Sequence, residues 1–176
     1  MSVDSALQIE IQQSRPFVSH EEELTLAVLR TADLIRGAIS KALVPYGITT
    51  QQYNVLRILR GSGKRGMPTL SIGERMIERT PGVTRLLDRL EAHGWVERDR
   101  CQRDRRVVYA KITDSGIDLL DQIGTPFADP AKTLFPEIPG SDIKTLIGLL
   151  ATLRHTDALS CRDPLGLSTG DDTKND

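Results

Sequence analysis

The stretch TPGVTRLLDRLEAHGWVERDRCQRDRRVVYAKI, Thr80 to Ile112, decides how the chain is to be read, because two different periodicities meet inside it. In its first half Val83, Leu86, Leu87 and Leu90 fall at i, i+3, i+4 and i+7, one apolar stripe of a helix, while Gly82, Thr84, Arg85, Asp88 and Arg89 fall on other faces. Thr80 can accept a hydrogen bond from a first-turn amide and Pro81 presets φ where no donor is needed, so a helix start is expected there, with Gly94 as its stop. From Trp95 to Arg98 and from Arg106 to Ile112, aromatic and β-branched residues alternate with charge. That pattern predicts two strands joined by a polar loop, Asp99 to Arg105.

A short helix showing basic residues, followed at once by an arginine-tipped hairpin, has the layout of a winged helix-turn-helix. The residues before it supply the other half of that unit. Thr69 or Ser71 can cap a helix running to about Glu78, with Leu70, Ile72, Met76 and Ile77 on its apolar side. Thr50 can cap a short amphipathic helix carrying Tyr53, Val55, Leu56 and Leu59, which Gly61 and Gly63 end. The linker SGKRGMP between the two is polar, and its Lys64 and Arg65 are placed to reach phosphates.

The flanks are helical as well. Ser19 and Glu22 have capping-box spacing, and Leu24, Val28, Ala32, Ile35, Ile39 and Ala42 follow at helical intervals. Leu29, Leu34 and Leu43 widen that stripe beyond one face, so the helix needs partners on two sides. Pro45 and Gly47 end it. After the hairpin, Thr113 caps a helix with Ile117, Leu119, Leu120 and Ile123 on its apolar side. Gly124, Pro126, Pro130, Pro136, Pro139 and Gly140 then interrupt the pattern, leaving room for a short helix near Ala131 to Phe135. Ser141 and Asp142 open a last helix with Ile143, Leu146, Ile147, Leu150 and Leu153 in its stripe. Residues 1–18 read as a flexible arm and 161–176 as a disordered tail.

Charge separates these regions. Net charge is -1 over the whole chain, yet residues 54–112 hold 14 Lys+Arg against 7 Asp+Glu and the rest hold 9 against 17. A basic middle on an acidic scaffold is what a nucleic-acid surface looks like, and it opposes the alternative of a winged-helix module that binds only protein. No window approaches the ~20 apolar residues of a membrane span, and the expected location is cytoplasmic. Cys101 and Cys161 form no CxxC pairing, and His20, His93 and His155 are scattered, so no metal site is expected. No phosphate loop or nucleophile elbow is present, and neither catalysis nor a cofactor is expected.

With ITTQQYNVLRIL, IGERM, VTRLLDRLEAHGWVERD, DRR and KITDSGIDLL in that order, residues 47–120 resemble the MarR family of bacterial winged-helix transcriptional regulators. The resemblance implies a mainly α fold with a small β wing (α+β). Residues 47–112 would form the DNA-binding lobe, and the first and last helices (19–46 and within 113–160) would interlock a homodimer. It implies a ligand-responsive repressor that binds double-stranded DNA at a pseudo-palindromic operator. It places Thr80, Gly82, Thr84, Arg85 and Arg89 at the recognition helix and Arg103 and Arg105 at the wing tip, on DNA. Asp104 and Arg106 match the acid-x-Arg positions that hold the wing in shape. A small aromatic effector would bind where the dimer helices meet the lobe, near Tyr46, Tyr53 and Trp95. Pro81-Gly82 departs from the more polar residues common there in the family, which leaves base reading to Thr84, Arg85 and Arg89.

Overall fold

The computed structural model describes residues 5–78, 82–101, 104, 106–124, 134–156 and 159. The chain divides into two compact units, Met1–Asp129 and Pro130–Asp176.

The first unit opens with a five-residue helix α1 (Ala6–Glu10) inside the stretch expected to be a loose arm. Ser5 caps it by accepting from the Gln8 amide, and Glu10 is held at 2.8 Å by Arg30 of the next helix. That helix, α2 (His20–Leu43), starts as its sequence requires, with the Ser19 hydroxyl accepting from the Glu22 amide. The reciprocal half of the box is displaced by one residue, because the Glu22 carboxylate takes the Val18 amide (2.6 Å). Along α2 only Leu43 is buried, and Leu24, Leu29 and Leu34 are each more than half exposed. The two-sided stripe is therefore left largely uncovered by this unit.

Helix α3 (Thr50–Ser62) is capped by Thr49 rather than Thr50, in a complete capping box with Gln52. Tyr53, Val55, Leu56 and Leu59 are all buried, so its apolar face is the one read from spacing. The linker after it holds an element too short to read from pattern, strand β1 (Met67–Pro68). Its approach depends on Gly66, at φ +64°, where a Cβ would strike the Ala110 carbonyl. Helix α4 (Thr69–Arg75) has no side-chain cap and stops three residues short of the expected Glu78. Met76 turns extended, which throws Ile77 out of helical phase. Ile72 and Met76 face the core, but Leu70 and Ile77 are 86% and 85% exposed, contrary to the apolar side drawn for this helix.

Helix α5 (Val83–Ala92) begins later than the Thr80-Pro81 cap would place it. Gly82 precedes it in the left-handed region (φ +101°) with no side-chain cap, and Thr80 and Pro81 lie outside the described residues. Its end is a Schellman turn: the Gly94 amide donates to Glu91 O and the Trp95 amide to Leu90 O. The hairpin follows as β2 (Val96–Arg100) and β3 (Val108–Ile112), so β2 runs two residues further than expected and β3 begins two residues later. The sheet is antiparallel, in the order β1-β3-β2, with Val96 opposite Ile112, Arg100 opposite Val108, and Met67 opposite Ala110.

Helix α6 (Asp114–Ile123) takes its cap from Thr113 as expected, buries Leu119, Leu120 and Ile123, and is seated against the end of α5. The hydroxyls of Thr113 and Ser115 both donate to Gly94 O (2.7 and 2.8 Å). Gly116 makes that seat possible, since a Cβ there would press on the Trp95 carbonyl and lie 2.8 Å from Ile112 Cγ1. At the centre of the unit Leu56 and Leu59 of α3, Ile72 of α4, Leu87 and Leu90 of α5 and Ala110 of β3 are fully buried. Each large aliphatic among them contributes about 1.5–3 kcal/mol of transfer free energy.

In the second unit helix α7 (Gly140–Arg154) starts one residue ahead of the Ser141-Asp142 opening, after Pro139, and has no side-chain cap. None of its residues is buried, and Leu146, Ile147 and Leu149 are half exposed or more. The short helix expected near Ala131 to Phe135 falls mostly, and the 161–176 tail wholly, outside the described residues.

Candidate nucleic-acid interface

Helix α5 separates its faces sharply. Leu86, Leu87 and Leu90 are buried against the core; Thr84, Arg85, Asp88 and Arg89 are turned away from it. The two arginines of α5 are offset by two acids of the same helix, Asp88 and Glu91, unless those acids are engaged elsewhere, and here they are. Arg98, on the adjoining strand β2, reaches back to place Nη2 2.7 Å from Asp88 Oδ1 and Nε 3.0 Å from Glu91 Oε2. One guanidinium thus engages both acids of the helix in charge-assisted bonds. Among the described residues Arg85 and Arg89 carry no ion pair. The pairing leaves Thr84, Arg85 and Arg89 as a row of polar and positive groups on the outer face.

The ionisation of the cluster reflects this arrangement. The hydrogen bond from Arg98 holds the Glu91 carboxyl below its ordinary value, and the bond to Glu91, followed by that to Asp88, raises Arg98. A carboxyl whose pKa is lowered by folding stabilises the fold above the unfolded-state pKa and stops doing so as pH falls through the folded one. The Arg98 contribution is therefore expected to be present at pH 7 and to fade only below about pH 4.5. In an NMR titration, Glu91 is expected to have its midpoint below 4.5, and Arg98→Gln should return it to the ordinary range. An unmoved Glu91 midpoint in Arg98→Gln would show that the two groups do not interact in solution.

On the opposite face of the hairpin Lys111 binds Asp99 (2.7 Å) and Glu97 (3.6 Å), so the wing acids are also neutralised within the protein. Two residues along from Arg98, Arg100 shares its strand face and is exposed. It adds an exposed cation to the hairpin that the sequence reading left out of the DNA-binding set, although alternation from buried Val96 would have assigned its face. Asp104 engages the wing turn through the backbone rather than by a charge pair with Arg106: its Oδ1 accepts from the Arg106 amide (2.9 Å), and its carbonyl accepts from the Val107 amide (3.0 Å). Arg106 stays exposed. Half-buried Cys101 closes the same loop by donating its amide to Val107 O (2.9 Å). Arg103 and Arg105 lie outside the described residues.

The three aromatics suggested for an effector each have contacts of their own. The Tyr46 hydroxyl donates to Gln122 O (3.2 Å), and Trp95 stacks on His93 with ring centroids 4.4 Å apart. Tyr53 is buried in the wall of a cavity of about 430 Å³ with Arg57, Arg60, Leu120 and Asp121, and burial raises its phenol pKa. A second cavity, of about 410 Å³, lies where α2 and α3 meet the chain after α4. Ala32, Ile35, Ile39, Met76 and Ile77 give it an apolar lining, and Arg36, Asn54 and Glu78 provide its polar rim. Among the described residues no group of three His, Cys, Asp or Glu could hold a metal ion, and no helix is long and apolar enough to cross a membrane.

Comparison with known proteins follows the same lines. The family model described as MarR family matches residues 48–108. The HTH-type transcriptional regulator PecS of Dickeya dadantii (strain 3937) is 27% identical over 143 residues, covering 78% of this chain and 86% of PecS. The crystal structure of a MarR transcription factor from Planctomyces limnophilus is 33% identical, with TM-score 0.59, over 77% of this chain and 98% of that one. Sco3205, a MarR family transcriptional regulator from Streptomyces coelicolor solved in complex with DNA, has the same fold, with TM-score 0.68 at 23% identity over 80% of this chain and 90% of Sco3205.

Proposed function

Because the chain belongs to the MarR family of winged-helix transcriptional regulators and is a DNA-binding regulator, we propose that it acts as a homodimeric repressor at a pseudo-palindromic operator. The observation that carries the reading is the Arg98 bridge, which removes Asp88 and Glu91 from the outer face of α5 and leaves Thr84, Arg85 and Arg89 to meet DNA. In a major groove about 12 Å wide, Arg85 is the residue placed to take guanine edges, with Thr84 and Arg89 beside it. Gly82 lets the helix entry approach phosphate closely, and Thr80 joins it there. Arg103 and Arg105 at the wing tip enter the adjoining minor groove, where negative potential favours arginine.

The uncovered apolar stripe of α2 and the exposed leucines of α7 support dimerisation through the first and last helices. Two-fold symmetry then sets the recognition helices about 34 Å apart, one turn of the duplex. The role is regulatory rather than catalytic, and it is exercised in the cytoplasm. A small aromatic effector binds at the junction of α2 and the lobe. The 410 Å³ cavity supports that site better than the three aromatics do, since it combines an apolar lining with the Arg36 guanidinium.

Selection of bound DNA from a random pool, followed by titration at several salt concentrations, tests the reading. An inverted repeat with half-sites one helical turn apart and a steep loss of affinity with salt are expected. Recovery of no common sequence, together with salt-independent binding, would overturn it.

A further inference from the structure

The entry of α5 is held from outside the helix. Gly82 precedes the helix with no side chain to cap it, and Met76, which follows α4, is extended. Two tertiary bonds hold the residues that follow it, Ile77 and Glu78. The Ile77 amide donates to Asn54 Oδ1 on α3 (3.2 Å), and Glu78 Oε1 accepts from Arg36 Nε on α2 (2.7 Å). Arg36 also lies 3.7 Å from Asp33, one turn back on its own helix, so its guanidinium stands between an acid of α2 and Glu78.

We infer that Arg36, Glu78 and Asn54 are positioning residues for DNA binding: they tie the start of the recognition helix to α2 and α3. Resting on the proposed function, the inference assigns this chain a specific route by which the spacing of α2 helices in a dimer is handed to the DNA-reading helices. The route is strong enough to bias the helix and weak enough to be released. At side-chain exposures of 50% and 44%, the Arg36–Glu78 pair is a solvent-facing ion pair, whose loss changes an equilibrium by no more than about fivefold. Both residues also line the 410 Å³ cavity, so a molecule seated there meets the tether directly.

The test uses the full-length protein and charge exchange. Arg36→Glu and Glu78→Arg are each expected to weaken binding to the selected operator about fivefold. Each should also speed amide exchange at Val83 to Leu86, the first turn of α5. The exchanged pair, Arg36→Glu with Glu78→Arg, should restore both. Glu78→Gln provides a milder variant in case a reversal fails to fold, with a smaller loss of affinity and an unchanged melting temperature. Wild-type affinity and exchange in Glu78→Gln and both reversals, or failure of the exchanged pair to recover either property, would overturn the inference. If the wild-type protein selects no operator, the DNA reading falls while amide exchange still decides whether the tether exists.

Discussion

Arg85→Ala is expected to lower affinity for the operator about fivefold to a hundredfold while the protein melts where the parent does. The two halves of that result rest on different observations. Arg85 is exposed and carries no ion pair among the described residues, so removing it breaks little in the folded state, and exposed substitutions of this kind shift stability by about 0.5 kcal/mol or less. A bidentate arginine-guanine pair is worth about 1–3 kcal/mol of discrimination, which sets the range of the effect. The salt dependence separates base from phosphate. If Arg85 binds a phosphate, its removal should flatten the salt slope by about one; if it binds a base, removal should relax preference at one operator position. Competition titrations against operators altered one base pair at a time make the measurement. Unchanged affinity in both Arg85→Ala and the Arg85→Ala, Arg89→Ala double variant would remove α5 from the interface.

Leu87→Ala, on the inner side of the same helix, should have the opposite signature. Leu87 is fully buried among the leucines of α3 and α5, and truncating such a residue costs about 2–5 kcal/mol through forfeited transfer energy and the cavity left behind. Against the roughly 5–15 kcal/mol that holds a domain of this kind together, that is a large part of the total. Urea unfolding at fixed protein concentration is the appropriate assay, because dimerisation makes apparent stability depend on concentration. At temperatures where the variant remains folded, its operator affinity should stay close to the parent's. A destabilisation under about 1 kcal/mol would mean that α5 does not pack through Leu87.

The apolar stripe of α5 was legible because a helix that buries one face must repeat its leucines, and all four stripe residues point inward as spacing required. The Thr113 cap and the Gly94 stop were legible for a similar reason, each being a local hydrogen-bond solution. What escaped was set by tertiary packing. Strand β1 is two residues long and exists because β3 offers it an edge, so Met67-Pro68 carries no period to read. Leu70 and Ile77 look like one helical face with Ile72 and Met76 only while the helix is assumed to continue, and its stop at Arg75 turns Ile77 outward. The site followed the same division. Thr84, Arg85 and Arg89 could be placed on the outer face from sequence alone, but that Arg98 would neutralise Asp88 and Glu91 depends on how the hairpin folds back over the helix. Arg100 was missed because β2 was ended two residues early. The effector suggestion followed the resemblance to Tyr46, Tyr53 and Trp95, whereas the 410 Å³ cavity is lined mainly by aliphatic residues that only the packing of α2 against α3 brings together.

The three-stranded sheet also bears on how this protein avoids its own copies. A sheet in the order β1-β3-β2 exposes two edges, and an exposed edge invites another strand to pair with it. On one side the edge is only Met67 and Pro68, too short to template a partner and lacking an amide at the proline. On the other, Glu97, Arg98, Asp99 and Arg100 place four consecutive charges along β2, so a second β2 approaching parallel and in register would meet like charge. The residues that make the hairpin suitable for a polyanion thus also make it a poor seed for aggregation, and a regulator crowded onto one stretch of DNA benefits from both.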